Sequence, residues 1–163
     1  METKLIFQAV RLNNTDQYNE LILLVDINIL NEYNQNLLQE AIANSRTMIG
    51  LDLIERGIEV NHRDSKGQTS LHYCGVYRNW ELAELILLNG GDPNIRDVYG
   101  NNAMWTSVFN ARGNYELVKL LVVNGGDIVS KNTSNRSALD FARQINDQKL
   151  LDILGDNIGI YKQ

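Results

Sequence analysis

Residues 67–97 read GQTSLHYCGVYRNWELAELILLNGGDPNIRD, and the parts of this stretch recur along the chain at nearly constant spacing. A shift of 33 residues forward brings its first eight letters onto GNNAMWTS at 100–107, and the same shift backward brings them onto NQNLLQEA at 34–41. A fourth version, NRSALDFA, lies at 135–142. Such a period is typical of stacked repeats, in which neighbouring units bury one continuous core.

Each version predicts a short helix followed by a second helix and a glycine cap. An apolar residue and a small residue three positions later share one face of the short helix. The second apolar stretch follows helical spacing and, in three versions, ends at Gly57, Gly90 or Gly125. A glycine directly after the last apolar turn is typical of a left-handed helix C-cap. The third version is two residues longer, which predicts an insertion near residues 109–113, between its helices. The apolar–small pairs are Leu38/Ala41, Leu71/Cys74, Met104/Ser107 and Leu139/Ala142.

The overall composition fits one folded domain of 163 residues, 44% hydrophobic and 21% charged. The net charge of −5 argues against nucleic acid, since phosphate binding needs a basic stripe, and mildly favours a basic partner. Cys74 is the single cysteine, which excludes an internal disulfide and indicates a reducing compartment. No signal-peptide pattern and no apolar run of membrane-spanning length is present, so we expect a cytoplasmic protein without membrane contact.

No motif in the chain indicates catalysis or metal binding. The two Asn-Gly-Gly-Asp stretches, at 89–92 and 124–127, lack the Lys-Ser/Thr of a phosphate-binding loop and end helices instead of beginning them. His62 has no second histidine at metal-ligand spacing, and Cys74 takes a small apolar position in its helix. We therefore expect no catalytic residue, no metal, no cofactor and no small-molecule substrate.

The repeated pattern resembles the ankyrin repeat family, whose repeats read Gly-x-Thr-Pro-Leu-His and end in Gly-Ala-Asp-x-Asn. Residues 67–97 match closely, with Ser70 in place of the proline; the other versions are degenerate, and Trp105 stands where the second has His72. The resemblance implies an all-α, ankyrin-repeat solenoid of stacked antiparallel helix pairs with short finger loops. It also implies that His72 hydrogen-bonds between neighbouring turns. Asp52 falls at a usually apolar position, which leaves the local pairing there open.

We divide the chain as a single ankyrin-repeat domain over residues 1–163. Residues 1–31 are predicted to be an N-terminal capping helix pair, 32–64, 65–97 and 98–132 three repeats, and 133–163 a C-terminal capping repeat. We expect Trp105 to pack between neighbouring turns, and Trp80 and Tyr115 to pack in the core or in the groove between repeats.

The resemblance places the binding surface on a concave face, made of the finger tips and the exposed side of the short helices. Exposed aromatic residues there are candidate anchors, because aromatic side chains concentrate binding energy at interfaces. The predicted partner-binding residues are Glu32, Tyr33, Gln35, Asn44, Lys66, Gln68, Tyr77, Tyr99, Asn101, Phe109, Asn110 and Arg136.

These features predict a non-catalytic protein–protein interaction module that binds a partner protein through its concave face. The specific hypothesis is a bacterial immunity protein that neutralises a toxin, with a basic toxin domain as its partner. A host-directed effector or an adaptor is the alternative. An enzyme is less favoured because no perturbed titrating group in a pocket is indicated, and a silent homo-oligomer is a third reading.

Overall fold

The chain folds into stacked helix pairs. The computed structural model describes residues 2–155, and in that range there are ten α-helices and no β-strand, which confirms the predicted all-α repeat architecture. Met1 and residues 156–163, the end of the predicted C-terminal capping repeat, lie outside the described residues. The helices are α1 (Glu2–Leu12), α2 (Thr15–Leu21), α3 (Leu37–Ala43), α4 (Thr47–Glu55), α5 (Ser70–Tyr77), α6 (Trp80–Leu88), α7 (Ala103–Asn110), α8 (Glu116–Val123), α9 (Ala138–Ile145) and α10 (Gln148–Ile153).

The helices form two layers. The inner layer contains α1, α3, α5, α7 and α9, and each of these helices packs against the next in the series. The outer layer contains α2, α4, α6, α8 and α10, and each outer helix packs on the inner helix of its own pair. Leu38, Leu71 and Met104, which the sequence places at equivalent positions, are fully buried between the layers. One continuous core therefore runs through the stack, as nearest-neighbour packing of repeats requires.

Side-chain caps start most inner helices. The side chains of Asn36, Asn102 and Ser137 each accept a hydrogen bond from the backbone N–H three residues later, at the start of α3, α7 and α9. Each such cap satisfies a backbone donor that has no partner inside the helix and contributes about 1 kcal/mol. Thr69 is the N-cap residue of α5 in the second repeat. The degenerate repeats have a different residue at this position and keep its capping function.

The two glycines of the Asn-Gly-Gly-Asp stretches have different tasks. Gly90 and Gly125 lie two residues after the last residue of α6 and α8, with φ of +86° and +78°, which confirms the predicted left-handed caps. Gly91 needs space instead: a Cβ there would lie 2.8 Å from the carbonyl oxygen of Ile86. The first glycine of the pair supplies the dihedral angle, and the second allows the chain to pass close to the helix it has just left.

Four fingers connect the outer helices to the next inner helices, at residues 30–36, 63–69, 96–102 and 131–137. Adjacent fingers are joined by backbone hydrogen bonds from Ser65 N to Tyr33 O, Val98 N to Lys66 O and Thr133 N to Tyr99 O, at 2.9–3.1 Å.

Asparagines add a second ladder between repeats. The Asn61 side chain donates to Gly90 O and accepts from Asp92 N. Asn94 makes the same pair of bonds one repeat later, to Gly125 O and from Asp127 N. These bonds satisfy the backbone groups next to the glycine caps and fix the register between repeats.

Asp52 is accommodated by the N-terminal helix pair. The Tyr18 hydroxyl donates to Asp52 Oδ2 at 2.6 Å, and Arg56 Nε donates to the same oxygen at 2.6 Å. Burial alone would raise the pKa of Asp52, but the hydrogen bonds from Arg56 and Tyr18 outweigh it and lower that pKa. A carboxylate at a usually apolar position is therefore stabilised by a tyrosine from the atypical helix α2.

The inserted loop of the third repeat lies between α7 and α8, as the spacing predicts, with Gly113 at a φ of +86°. Tyr115 at its end is buried, and its hydroxyl donates to Asp147 at the start of α10. Trp80, at the matching position of the second repeat, is 42% exposed, so it is not part of the core. Tyr115, the equivalent residue in the next repeat, is buried because Asp147 at the start of α10 accepts a hydrogen bond from its hydroxyl.

Candidate protein-binding face

The tips of the fingers and the solvent side of the inner layer make up one surface, which we call the finger face. Four aromatic residues predicted to lie on it are exposed: Tyr33 by 59%, Tyr77 by 47%, Tyr99 by 55% and Phe109 by 56%. Tyr33 and Tyr99 lie at finger tips, whereas Tyr77 and Phe109 lie near the C-terminal ends of α5 and α7. Since α5 packs directly on α7, the two helix-borne rings come from adjacent repeats.

Several of the predicted polar contact residues are already engaged inside the chain. Gln35 donates to the Tyr73 hydroxyl at 2.6 Å, and Asn101 accepts from the Asn132 side chain at 2.9 Å. Asn44 and Asn110 cap the carbonyl oxygens of their own helices. Gln68 is half-buried, while Glu32 and Lys66 are exposed. The structure therefore gives the asparagines and Gln35 structural contacts and leaves the finger tips and the aromatic rings open to solvent.

An aromatic cluster forms where the third repeat meets the fourth. Trp105 stacks on Phe109 with ring centroids 6.2 Å apart, and Phe141 from α9 packs against both rings at 5.9 and 5.1 Å. The Arg136 guanidinium carbon lies 5.8 Å from the centroids of Trp105 and Phe141. Arg136 also donates to the Gln144 side chain, which holds it over the rings. Cation–π contact of this kind is worth about 0.5–1 kcal/mol at exposed sites. We call Trp105, Phe109, Phe141 and Arg136 the aromatic cluster.

The aromatic cluster contains two residues that the predicted site did not include, Trp105 and Phe141. Trp105 was expected to pack between turns, and it does lie between repeats, but its ring is half-exposed and forms part of the finger face. Phe141 follows the residue equivalent to Trp105 in the next repeat, so an alignment of the four versions could have paired the two rings.

The equivalent position in the first two repeats has a purely structural task. His72 is fully buried, and its Nε2 donates to Asn101 O at 2.9 Å, which confirms the predicted bridge to the next finger. Its Nδ1 accepts from Thr69 N at 3.1 Å. Gln39 makes the same two bonds one repeat earlier, accepting from Asn36 N and donating to Gln68 O at 2.8 Å.

The buried side chains of His72 and Cys74 are held in uncharged forms. Burial lowers the pKa of His72 below its ordinary value, so the ring is neutral, and both of its nitrogens are occupied. Burial raises the pKa of the Cys74 thiol, which keeps the sulfur protonated and unreactive. Within residues 2–155 no three histidine, cysteine or acidic residues lie close enough together to hold a metal ion. In the same range no helix has the length and apolar character needed to cross a membrane.

Charge is distributed unevenly over the surface. In the fingers one exposed acid, Glu32, stands against four exposed bases. On the outer helices α4, α6 and α8 the balance is reversed, since the exposed acids outnumber Lys119 of α8 and Arg56, which directly follows α4. The net charge of −5 therefore does not describe the finger face. The four exposed bases of the fingers are Arg63, Lys66, Arg96 and Lys131, and the exposed acids of the outer helices are Glu55, Glu81, Glu84 and Glu116.

Residues 53–104 match a family model described as ankyrin repeats in many copies. The chain is 43% identical over 92 residues to an ankyrin repeat and LEM domain-containing protein 1 homolog of Caenorhabditis elegans, a match that covers 56% of this chain and 11% of that protein. It is 31% identical over 77 residues to an ankyrin and IPT/TIG repeat-containing protein of Schizosaccharomyces pombe, covering 47% of this chain and 7% of that protein. The chain thus spans about a tenth or less of the length of these relatives.

Repeats of this kind generally act as non-catalytic modules for protein–protein interaction, because a stacked solenoid offers an extended surface. The family match falls on the second repeat and its borders, where the capped helices, the glycine ends and the histidine bridge are all present. The recurring helix pairs extend the same architecture to both sides of that segment. Residues 53–104 of the chain therefore match ankyrin repeats, and about half of the chain is similar to proteins named for such repeats.

Proposed function

We propose that this chain binds another protein through its finger face, with the aromatic cluster as the main anchor. The observation that carries the proposal is that Phe109 remains 56% exposed although Trp105 and Phe141 fix it on two sides. An aromatic ring held in place before binding loses little conformational entropy when a partner covers it. Residues of this type, surrounded by polar groups, dominate binding energy at interfaces.

The basic residues of the fingers indicate which kind of partner surface would fit the finger face. A partner that lies across the fingers meets Lys66 and Arg136, with Arg63 and Arg96 along the same stack, whereas Lys131 is already paired with Asp140. Opposite charge favours encounter and orientation, so the matching surface carries an apolar group edged by carboxylates. This differs from the basic partner expected from the net charge, because the acidic excess lies on the outer helices. Association is expected to be faster at low salt, where these charges are less screened.

The immunity hypothesis is a specific form of this proposal. In that form the partner is a toxin, and the finger face covers its active or entry surface. A host-directed effector or an adaptor differs only in what the bound protein does. The toxicity of the bound protein, measured by expressing it with and without this chain, separates the two.

The proposal is tested by comparing two exposed apolar residues on opposite layers. Partners are captured by chemical cross-linking to the wild-type chain in its native organism, and the affinity of the identified protein is measured by calorimetry. Phe109→Ala removes the exposed ring of the aromatic cluster. Leu88→Ala is the matched control, because Leu88 is 76% exposed at the end of outer helix α6.

Phe109→Ala is expected to weaken binding by about 1–3 kcal/mol, or roughly 5- to 150-fold, as a truncated aromatic anchor does. Leu88→Ala is expected to bind as the wild type does. If Leu88→Ala weakens binding and Phe109→Ala does not, the outer layer is the binding surface and the proposal is wrong.

A further inference from the structure

A row of exposed apolar side chains crosses three neighbouring inner helices. Tyr77 of α5, Phe109 of α7 and Ile145 of α9 lie near the C-terminal ends of their helices, and each is about half-exposed. Because α7 packs directly on both α5 and α9, the three side chains come from adjoining repeats. We call Tyr77, Phe109 and Ile145 the inner row.

Basic side chains border the inner row on the side of the fingers. Lys66 of the second finger is exposed, and the Arg136 guanidinium of the fourth finger lies over the Trp105 ring. Asp64 and Asp97, the carboxylates of the second and third fingers, are buried and accept hydrogen bonds from backbone N–H groups of their own fingers. These three fingers of the described chain therefore present no exposed carboxylate. We call Lys66 and Arg136 the finger border.

Two arginines border the inner row on the opposite side, in the turns that follow α5 and α7. Arg78 directly follows Tyr77, and Arg112 lies three residues after Phe109. Both side chains are exposed, and neither makes a hydrogen bond or an ion pair within residues 2–155. We call Arg78 and Arg112 the turn border.

The backbone does not explain why arginine stands at these two positions. Arg78 and Arg112 have φ of +58° and +47°, a left-handed conformation that costs about 1–2 kcal/mol for most residues. Asn146 holds the place of Arg78 in the fourth repeat, with φ of +52°, and asparagine tolerates this conformation better. An unfavourable residue at a strained position indicates a role for its side chain.

The carboxylates nearest to the turn border are separate from it. Glu81 and Glu116 begin the outer helices α6 and α8, and Glu116 pairs with Lys119 of its own helix. Asp147, in the turn after α9, accepts the hydrogen bond of the Tyr115 hydroxyl. The turn border is therefore basic, like the finger border, and the apolar row lies between the two.

The dimensions of this surface fit one α-helix. The inner helices α5, α7 and α9 have eight residues each and are about 12 Å long, with the fingers at one end and the turns at the other. An α-helix with its side chains is about 10–12 Å wide, whereas a β-strand occupies about 5 Å. Helices packed side by side lie about 8–10 Å apart, so roughly four helical turns cross all three.

The order of the charges also favours a helix. An amphipathic helix has polar positions on both sides of its apolar stripe, so it can meet two basic borders at once. An extended strand places alternate side chains above and below its plane, and one apolar face leaves the polar groups pointing away from the surface. The combination of an apolar row with a basic border on each side therefore matches a helix with two acidic flanks.

We propose that the inner row binds an acidic amphipathic helix of a partner protein, laid across α5, α7 and α9. The apolar stripe of that helix covers the inner row. Carboxylates on one flank meet the finger border, and carboxylates on the other flank meet the turn border. This inference rests on the proposed binding through the finger face, and it adds the form of the bound segment and its second acidic flank.

Asparagine substitutions remove the charge of the turn border and keep its backbone. Arg78→Asn and Arg112→Asn each introduce a residue that suits the left-handed conformation observed at both positions. Lys119→Gln is the matched control, because it removes one positive charge from the outer layer. Lys119 is exposed there, and its ion pair with Glu116 is of the surface type that contributes little stability.

The probe is a phage-displayed library of 20-residue amphipathic helices, selected on the full chain, in which each flanking position encodes either glutamate or lysine. We expect glutamate to be enriched on both flanks. A synthesised peptide of the enriched sequence is expected to bind Arg78→Asn and Arg112→Asn about 2- to 5-fold more weakly than the wild type, as lost exposed charge pairs do. Lys119→Gln is expected to bind it as the wild type does. The same peptide with proline at its centre, which breaks the helix, is expected to lose binding.

A selection that enriches no peptide, or that enriches lysine on the flanks, would overturn the proposal. Equal affinities of Arg78→Asn, Arg112→Asn and Lys119→Gln for the peptide would overturn it as well. A cation at a helix C-terminus also stabilises that helix, so urea unfolding is measured on the same variants. Lower stability of the arginine variants with unchanged affinity would assign the arginines to the helix ends and not to a partner.

The proposed function is judged separately, by the captured partner and Phe109→Ala. If that partner loses affinity for Phe109→Ala while the proline peptide binds as well as its parent, the finger face stands and its ligand is not a helix. A peptide that binds Phe109→Ala as tightly as the wild type would contradict the helix proposal, whatever the captured partner does.

Discussion

The junction made by His72 and the junction made by Trp105 occupy equivalent places in successive repeats and differ in what the side chain does. His72 is buried and joins its own turn to the next finger through Thr69 N and Asn101 O. Trp105 donates no bond to the next finger in the described structure; its ring is covered by Arg136 and Phe141 and packs on Phe109. The same repeat position therefore holds backbone groups by hydrogen bonds in the second repeat and contributes a ring to the protein surface in the third.

The difference shows how a degenerate repeat gains a binding surface. The polar bridge at Gln39 and His72 fixes the finger but exposes nothing that a partner could bind. Replacing it with tryptophan leaves the carbonyl of Arg136 with one bond fewer than those of Gln68 and Asn101. In exchange, the guanidinium of Arg136 stacks on the exposed rings. We therefore expect mutation of His72 to lower mainly the stability of the fold and mutation of Trp105 to lower mainly the affinity for the partner.

The largest expected effect is on the histidine side. His72→Ala removes a fully buried ring and leaves Thr69 N and Asn101 O with fewer partners. The free energy of unfolding is expected to fall by about 2–4 kcal/mol, from the lost hydrogen bonds and the cavity. Urea unfolding monitored by circular dichroism measures it. A variant as stable as the wild type would show that the bridge is not needed.

Trp105→Ala is expected to cost less stability and more binding. The ring is half-exposed and makes no hydrogen bond to the next finger, so the free energy of unfolding is expected to fall by only about 1–2 kcal/mol. Loss of the ring that supports Phe109 is expected to weaken partner binding by about 1–3 kcal/mol. Unfolding and calorimetry on the same preparation test both parts. A loss of stability equal to that of His72→Ala would remove the distinction between the junctions.

A third variant keeps the hydrogen bonds of His72 and removes its ability to take up a proton. His72→Gln copies the residue that makes the same bonds at Gln39, so stability near pH 7.5 is expected to lie within about 1.5 kcal/mol of the wild type. Burial lowers the pKa of His72 below its ordinary 6.5, and Thr69 N already donates to the nitrogen that would be protonated. The unfolded chain therefore takes up the proton first.

The contribution of neutral His72 is fully present above about pH 6.5 and is lost as the pH falls below that value towards the lower folded pKa. Between pH 7.5 and 5.5 the wild type is expected to lose stability faster than His72→Gln. His62 is present in both proteins and cancels from the comparison. Parallel pH profiles for the two proteins would show that the His72 proton is not linked to folding.

The smallest effect on stability is expected when Trp105 is replaced by the histidine of the second repeat. Trp105→His restores the residue type that bridges to the next finger, where Arg136 O has an open acceptor site. A gain of about 0.5–1 kcal/mol from the new hydrogen bond offsets part of the lost ring packing, so net stability is expected to change little. Partner binding is expected to weaken as it does in Trp105→Ala. Undiminished binding would show that the ring has no part in recognition.

The sequence predicted those features that depend on local pattern. The glycine caps at Gly90 and Gly125 follow from signals within one repeat, and the His72 bridge follows from the resemblance of that repeat to the ankyrin family; all three are present. The aromatic cluster depends on packing between α7 and α9, whose rings come from residues more than thirty positions apart. Asp52 likewise depends on a distant tyrosine, and Trp80 lacks the polar partner that buries its counterpart. These features are set by which neighbour each repeat has, and the pattern within a single repeat does not contain that information.

Hydroxyl-radical footprinting of the chain alone and in complex with its captured partner shows which layer the partner covers, because both layers contain reactive, exposed side chains. We predict that the partner protects Phe109, Trp105 and Tyr99 from oxidation, while Trp80 and Met48 on the outer layer are oxidised as in the free chain. Protection of Trp80 and Met48, with Phe109 and Trp105 unchanged, would contradict it and place the binding surface on the outer helices.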